Sequence, residues 1–163
     1  MYLVKRIATF GDQKRKEMKN VILLALTLIV LASCSKDEVD YAAIDEQKIQ
    51  DYLGENNLNA TRHASGLYYN VTVQGSGHTV PPGAVVTVRY TGKLLTGEVF
   101  DEGRLDNYPL NNLIKAWQIG IPLLKKGSEA IFYCPSDLCY GSSGTSGIPP
   151  HSVLIFNIKV IDF

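Results

Sequence analysis

The stretch "VTVRYTGKLLTGEVFDEG", Val86 to Gly103, decides the fold. Its first half alternates, with Val86, Val88 and Tyr90 on one face and Thr87, Arg89 and Thr91 on the other, the period of a half-buried strand running from Val85 to Leu94. Thr96–Gly97 supplies turn chemistry between apolar runs, and the chain continues with Phe100 beside Asp101. Upstream, "LYYNVTVQ" repeats the pattern, with Leu67, Tyr69, Val71 and Val73 opposite Tyr68, Asn70, Thr72 and Gln74. Downstream, Leu110, Leu113, Ile114, Trp117, Ile121 and Leu124 recur at helical spacing. Pro122 clashes with the preceding turn, so regular helix stops near Ile121. "EAIFYC" and "SVLIFNIKVIDF" read as strands, the second with Leu154, Phe156, Ile158 and Val160 inward. The expected fold class is α+β, an antiparallel β-sheet with one short α-helix packed on a face.

The composition of the 163 residues, 45% apolar and 20% charged, excludes disordered and collagen-like classes. Net charge is zero, but the first 33 residues carry six Lys/Arg against Asp12 and Glu17, which leaves the remainder with 10 basic and 14 acidic residues. That remainder has no basic footprint for nucleic acid. The apolar run Val21 to Ala32 follows "MKN" and is shorter than the roughly 20 residues a spanning helix needs, so residues 1–33 read as a signal peptide, with Met18 the more typical start. A buried core helix is the rival reading, and it lacks the expected polar face. The run ends in "LASC", Leu31 to Cys34, which resembles the lipobox of bacterial lipoproteins. That resemblance implies that Cys34 is acylated and holds the chain to a lipid bilayer. "SKDE", Ser35 to Glu38, resembles the surface-export signal of Bacteroidetes lipoproteins. The implied location is the outer membrane, surface-exposed, with the periplasmic side as the alternative.

Residues 34–64 are expected to hold the lipidated cysteine, a polar tether and a short helix outside the main domain, which spans 65–163. In that helix Asp45 caps the first turn, Ile44 and Ile49 take staple positions, Ile49, Tyr52 and Leu53 share a face, and Gly54 ends it.

Three ordered pieces now carry a resemblance: "VTVRYTGKLLTGEVFDEG", "LIKAWQIGI" and "LCYGSSGTSGIPPHSVLIFNIKVI" arrive in the order and spacing of the FKBP-type peptidyl-prolyl isomerases. The resemblance covers about Ser65 to Phe163. It implies a bent antiparallel sheet wrapped round one short helix, with the active site in the apolar hollow between them. It also implies a hollow lined by Tyr90, Phe100, Trp117, Ile148 and Phe156, with Trp117 as floor, Tyr108, Leu110 and Leu113 as neighbours, and Asp101 at its polar edge. Ile114 N–H and the Tyr140 hydroxyl are the implied donors to substrate carbonyls. The implied substrates are proline-containing polypeptides, a macrolide is a candidate ligand of the same hollow, and no cofactor or metal is called for.

The chemistry explains these residue types. Rotation about an X–Pro bond is opposed by amide resonance, a barrier of roughly 18–20 kcal/mol. A dry aromatic hollow withdraws the solvation that favours the planar, charge-separated amide, and so binds the twisted form better. The Gly/Ser loop after Tyr140 turns where glycine tolerates unusual dihedrals, while Pro149 and Pro150 stiffen the approach to the last strand. Chain length between Phe100 and Trp117, Ala116 in place of glycine, Asn112 in place of an acid and Thr145 in the loop depart from common family members. The second function class is a binding module, the same hollow holding proline segments without turnover as a chaperone or adaptor. Read singly, the inward aromatics are core residues and Asp101 a turn residue. Cys134 and Cys139, five apart in an export-directed chain, stand either as a disulfide or as two buried thiols.

Overall fold

The computed structural model describes residues 39–163. The signal-peptide reading, Cys34 and the "SKDE" segment lie outside the described residues. Asp40 to Phe163 form one compact unit. Helix α1, Tyr41–Glu55, comes first. It is followed by strands β1 (Thr61–Arg62), β2 (Tyr68–Val73), β3 (Ser76–Thr79), β4 (Val85–Leu94) and β5 (Val99–Pro109). Helix α2 (Lys115–Gly120), strands β6 (Lys125–Lys126) and β7 (Glu129–Cys134), and finally β8 (Leu154–Asp162) complete the order.

The main sheet is antiparallel and six-stranded, in the order β1-β2-β7-β8-β4-β5, and β3 pairs with β6 apart from it. β4 and β8 share a long register in which Gly92 faces Phe156 and Tyr90 faces Ile158. The β4–β5 turn closes through Gly97 N–H to Leu94 O, with Gly97 at φ +89°, a conformation that favours glycine. β5 ends the sheet and, among the described residues, leaves one edge unpaired.

α2 is short because Pro122 interrupts it, as the sequence predicts; it is flanked by 3-10 turns at Leu110–Asn112 and Ile121–Leu123. Ala116, Trp117 and Ile121 press into a core formed with Leu67, Val86, Val88, Phe132, Phe156, Ile158 and Val160. This is the α+β arrangement expected from the strand periodicities, and it agrees with the sheet round one short helix that the resemblance implies.

Helix α1 departs from its expected place. It does not stand outside the domain: Ile49 and Leu53 bury against Tyr68, Tyr133, Val153 and Ile155 on the sheet's other side. Its cap is Asp40, whose side chain accepts the Ala43 N–H at 3.1 Å, so the helix starts one turn earlier than Asp45 suggests. Asp45 is only 1% exposed and Ile44 39%, so neither serves as first-turn cap or staple. Tyr68, assigned to a solvent face by alternation, lies beneath α1 and donates its hydroxyl to Glu46 at 2.8 Å. Val73, on the apolar side of the alternation, is exposed where the register of β2 against β7 shifts between Val71 and Val73.

Candidate active site

A cavity of about 220 Å³ opens between the sheet and α2, lined by Tyr90, Asp101, Leu105, Tyr108, Leu113, Ile114, Trp117, Tyr140 and Phe156. β4 brings Tyr90, β5 brings Asp101, Leu105 and Tyr108, α2 and its approach bring Leu113, Ile114 and Trp117, and β8 brings Phe156. Trp117 is 4% exposed and meets Tyr90 and Phe156 edge-on, with ring centroids 5.0 and 5.3 Å away. Phe100 meets Phe156 edge-on at 5.7 Å. Such edge-to-face contacts suit the aromatic quadrupole and lock the rings against one another. The indole N–H of Trp117 is buried and has no hydrogen-bond partner among the described residues.

Gly92 makes the close approach of these rings possible. A β-carbon there would lie 2.5 Å from Phe100 Cζ and 2.9 Å from Phe156 Cε1. The sheet is therefore free of side chain where the two rings lean on it.

The polar edge is a single pair. Tyr90 donates its hydroxyl to Asp101 Oδ2 at 2.8 Å. Burial and this bond push the Tyr90 hydroxyl up to about 12, so the phenol keeps its proton throughout the neutral range. Burial raises the Tyr140 hydroxyl too, assisted by neighbouring Cys139 and Asp101. Ile114 is the residue preceding α2, where helix amides lack intrahelical acceptors; its carbonyl takes the Trp117 and Gln118 N–H groups. Its own N–H donates to no other backbone group among the described residues.

The loop after Tyr140 is folded on itself. Thr145 and Ile148 exchange backbone hydrogen bonds at 2.9 and 2.8 Å, and His151 N–H reaches Gly141 O at 2.9 Å. At Gly144, φ +60°, a β-carbon would stand 2.4 Å from Ile148 O. Gly147 lies against the Cβ of Phe100, 4.0 Å from its own ideal β-carbon position.

The structure thus gathers Tyr90, Asp101, Tyr108, Leu113, Ile114, Trp117, Tyr140 and Phe156 round one cavity. Phe100 and Ile148, expected in its lining, are not part of it: Phe100 is half-buried against Phe156, and Ile148 is nearly buried in the core. Leu110, expected as a pocket neighbour, is fully buried in the core and adds nothing to the cavity surface, because its 3-10 turn points it inward under Ala84. Leu105 was missed. β5 is irregular between its pairs Val86–Tyr108 and Val88–Leu105, and Asn107 there takes φ +48°, so Leu105 and Tyr108 both reach the cavity despite their odd spacing. The signal available was its position as the only aliphatic side chain between Phe100 and Tyr108. Cys134 and Cys139 are separate thiols; Cys134 is buried, and burial first, then its hydrogen-bond contact with Cys139, push its thiol well up. A larger hollow of about 420 Å³ on the sheet's outward side is lined by charged and polar groups, including Arg89, Asn157 and the ion-paired Lys159 and Glu129.

A short-helix cavity of this shape, floored by tryptophan and walled by tyrosine and phenylalanine, belongs to the proline isomerases of the FKBP class. The sequence profile of the FKBP-type peptidyl-prolyl cis-trans isomerases matches residues 77–161, more than half the chain, and the chain belongs to that family. FkpA of Aeromonas hydrophila, an FKBP-type peptidyl-prolyl cis-trans isomerase, is 35% identical over 136 residues, covering 78% of this chain and 50% of its own. The crystal structure of FkpA from Escherichia coli superposes with TM-score 0.66 at 28% identity, covering 93% of this chain and 72% of that one. AtFKBP13 superposes with TM-score 0.59 at 31% identity, covering 64% of this chain and 98% of its own. The chain spans about half the length of the curated relatives it matches.

Proposed function

We propose that this chain catalyses cis–trans rotation about X–Pro bonds of exported polypeptides. The observation that carries the reading is the cavity itself, floored by Trp117 and walled by Tyr90, Leu105, Leu113 and Phe156. The one carboxylate on the wall, Asp101, already accepts the Tyr90 hydroxyl. No proton transfer or covalent step is required of it. A proline ring entering against Trp117 sheds water from the peptide bond, and the twisted amide, less polar at oxygen, loses less by this than the planar one. Ile114 N–H and the Tyr140 hydroxyl hold the flanking carbonyls while the bond turns. A differential of a few kcal/mol corresponds to an acceleration on the order of a hundred to several thousand.

The location forms part of the proposal. Acylated Cys34 anchors the chain at the outer membrane with the domain facing outward, and the periplasmic face is the alternative. The run "LASC" followed by "SKDE" supports this. Protease added to intact cells separates the two: digestion before lysis supports the surface, and resistance until lysis supports the periplasm.

The test of activity is refolding of a substrate limited by proline isomerisation, with and without the chain. A shortened slow phase is expected. An unchanged slow phase alongside measurable binding of a proline peptide would leave only a binding module.

A further inference from the structure

The loop bearing Tyr140 is gripped at both ends by α1, a helix outside the matched family region. Near its start, Asp45 Oδ2 accepts the Ser136 N–H at 2.8 Å, a buried bond between residues 91 apart in sequence. At its far end the Tyr41 ring lies flat on the His151 imidazole, with centroids 3.4 Å apart and planes within 7°. Lys48 joins the two grips, its Nζ 3.1 Å from Asp45 Oδ1 and 3.4 Å from His151 O. Residues 41, 45 and 48 fall on one helical face, at i, i+4 and i+7.

From Ser136 the restraint passes directly to the site. The Ser136 carbonyl accepts the N–H groups of Cys139 at 3.0 Å and Gly141 at 2.8 Å, the residues on either side of Tyr140. Gly141 O in turn accepts the His151 N–H, and His151 holds φ +55°, a left-handed conformation that a non-glycine residue adopts at a cost. A buried carboxylate must keep its hydrogen bonds, since losing one leaves an unsatisfied charge in low dielectric. Asp45 therefore acts as a fixed point from which the Tyr140 backbone is hung.

We propose that Asp45, with Tyr41 and Lys48, is a positioning residue for isomerisation: through Ser136 and His151 it fixes Tyr140 at the cavity. This rests on the isomerase reading above. In the full chain, Asp45→Ala is expected to lower kcat/KM about tenfold, mainly through kcat, with the domain still folded. Asp45→Asn keeps an acceptor oxygen for Ser136 N–H and is expected to restore most of the loss. The deciding measurement is the cycle with Tyr140→Phe: once the hydroxyl is gone, Asp45→Ala should cost no more than about twofold further. Losses that multiply independently would overturn the proposal, as would full activity in a folded Asp45→Ala chain. Should Asp45→Ala fail to fold, Tyr41→Ala, which removes only the surface stack on His151, carries the same cycle with the same two outcomes. Should the unaltered chain show no turnover, the isomerase reading falls. The cycle is then read in the Kd of a proline peptide, where coupling to Tyr140 supports the positioning role and independence refutes it.

Discussion

Gly92→Ala probes the aromatic wall with a single methyl group. The new β-carbon would sit 2.5 and 2.7 Å from two atoms of the Phe100 ring and 2.9 Å from Phe156. Carbon atoms settle at about 3.5–4.0 Å, so the Phe100 ring must retreat by about 1 Å. Phe156 is nearly buried and cannot yield, whereas Phe100 is half-buried and swings towards solvent. Overpacking of this kind costs about 1–3 kcal/mol, and the lost Phe100–Phe156 contact accounts for about 0.5–1.5 kcal/mol of it. For a domain of this size each kcal/mol lowers Tm by roughly 4 °C. Thermal unfolding should therefore fall by roughly 4–12 °C. Refolding-coupled isomerase assays below that Tm should show kcat/KM reduced roughly three- to tenfold, since about 1.4 kcal/mol is a factor of ten. Gly120→Ala is the control. Its β-carbon meets Phe132 at 2.5 Å in the core away from the cavity, so it should lower Tm similarly while sparing activity per folded molecule. A Gly92→Ala protein with native Tm and native activity would refute the claim that this wall is packed to contact.

Two pH predictions follow from the titrating groups. Tyr90 is raised in the folded state from 10.0 to about 12, so its contribution to stability is complete below pH 10 and is lost as pH rises towards 12. Because the Tyr90–Asp101 pair is open to solvent, denaturant unfolding should show a decline of about 1 kcal/mol or less across that window, shallower in Tyr90→Phe; identical slopes would sink the assignment. Glu46 is lowered from 4.5 to about 2, chiefly by its two-pronged contact with Arg62 at 2.7 Å and by the Tyr68 hydroxyl. Its stabilisation is present above pH 4.5 and disappears as pH falls to 2. Because the pair faces solvent, we expect a loss of about 1 kcal/mol or less, absent in Glu46→Gln, and acid titration of unfolding checks it.

Most of the fold was legible because one-sided burial imposes a clean period of two: Val86, Val88 and Tyr90, like Phe156, Ile158 and Val160, face the core as their alternation says. Pro122 likewise stopped α2 where its ring and missing donor require. Alternation failed where a second layer or an irregularity intervened. Tyr68 read as outward, and it is, but α1 covers that side too. Leu105 was hidden by the change of parity at Asn107. Asp45 resembled a cap because Asp favours that position, and only the tertiary contact with Ser136 distinguishes a buried acceptor from a first-turn one. Leu110 belonged to the right helical stripe, but the 3-10 turn that carries it rotates the stripe towards the core.

β5 has a further consequence under the isomerase function proposed above. An unpaired strand edge is a template on which any extended polypeptide can align, and partly folded clients offer such segments in abundance. Here that edge carries Asp101, Glu102, Arg104 and Asp106 in close succession. Charges of both signs along the outermost strand discourage ladder formation by passing chains. Under the proposed activity, polypeptide substrates would engage through side chains at the cavity instead of being recruited into the sheet.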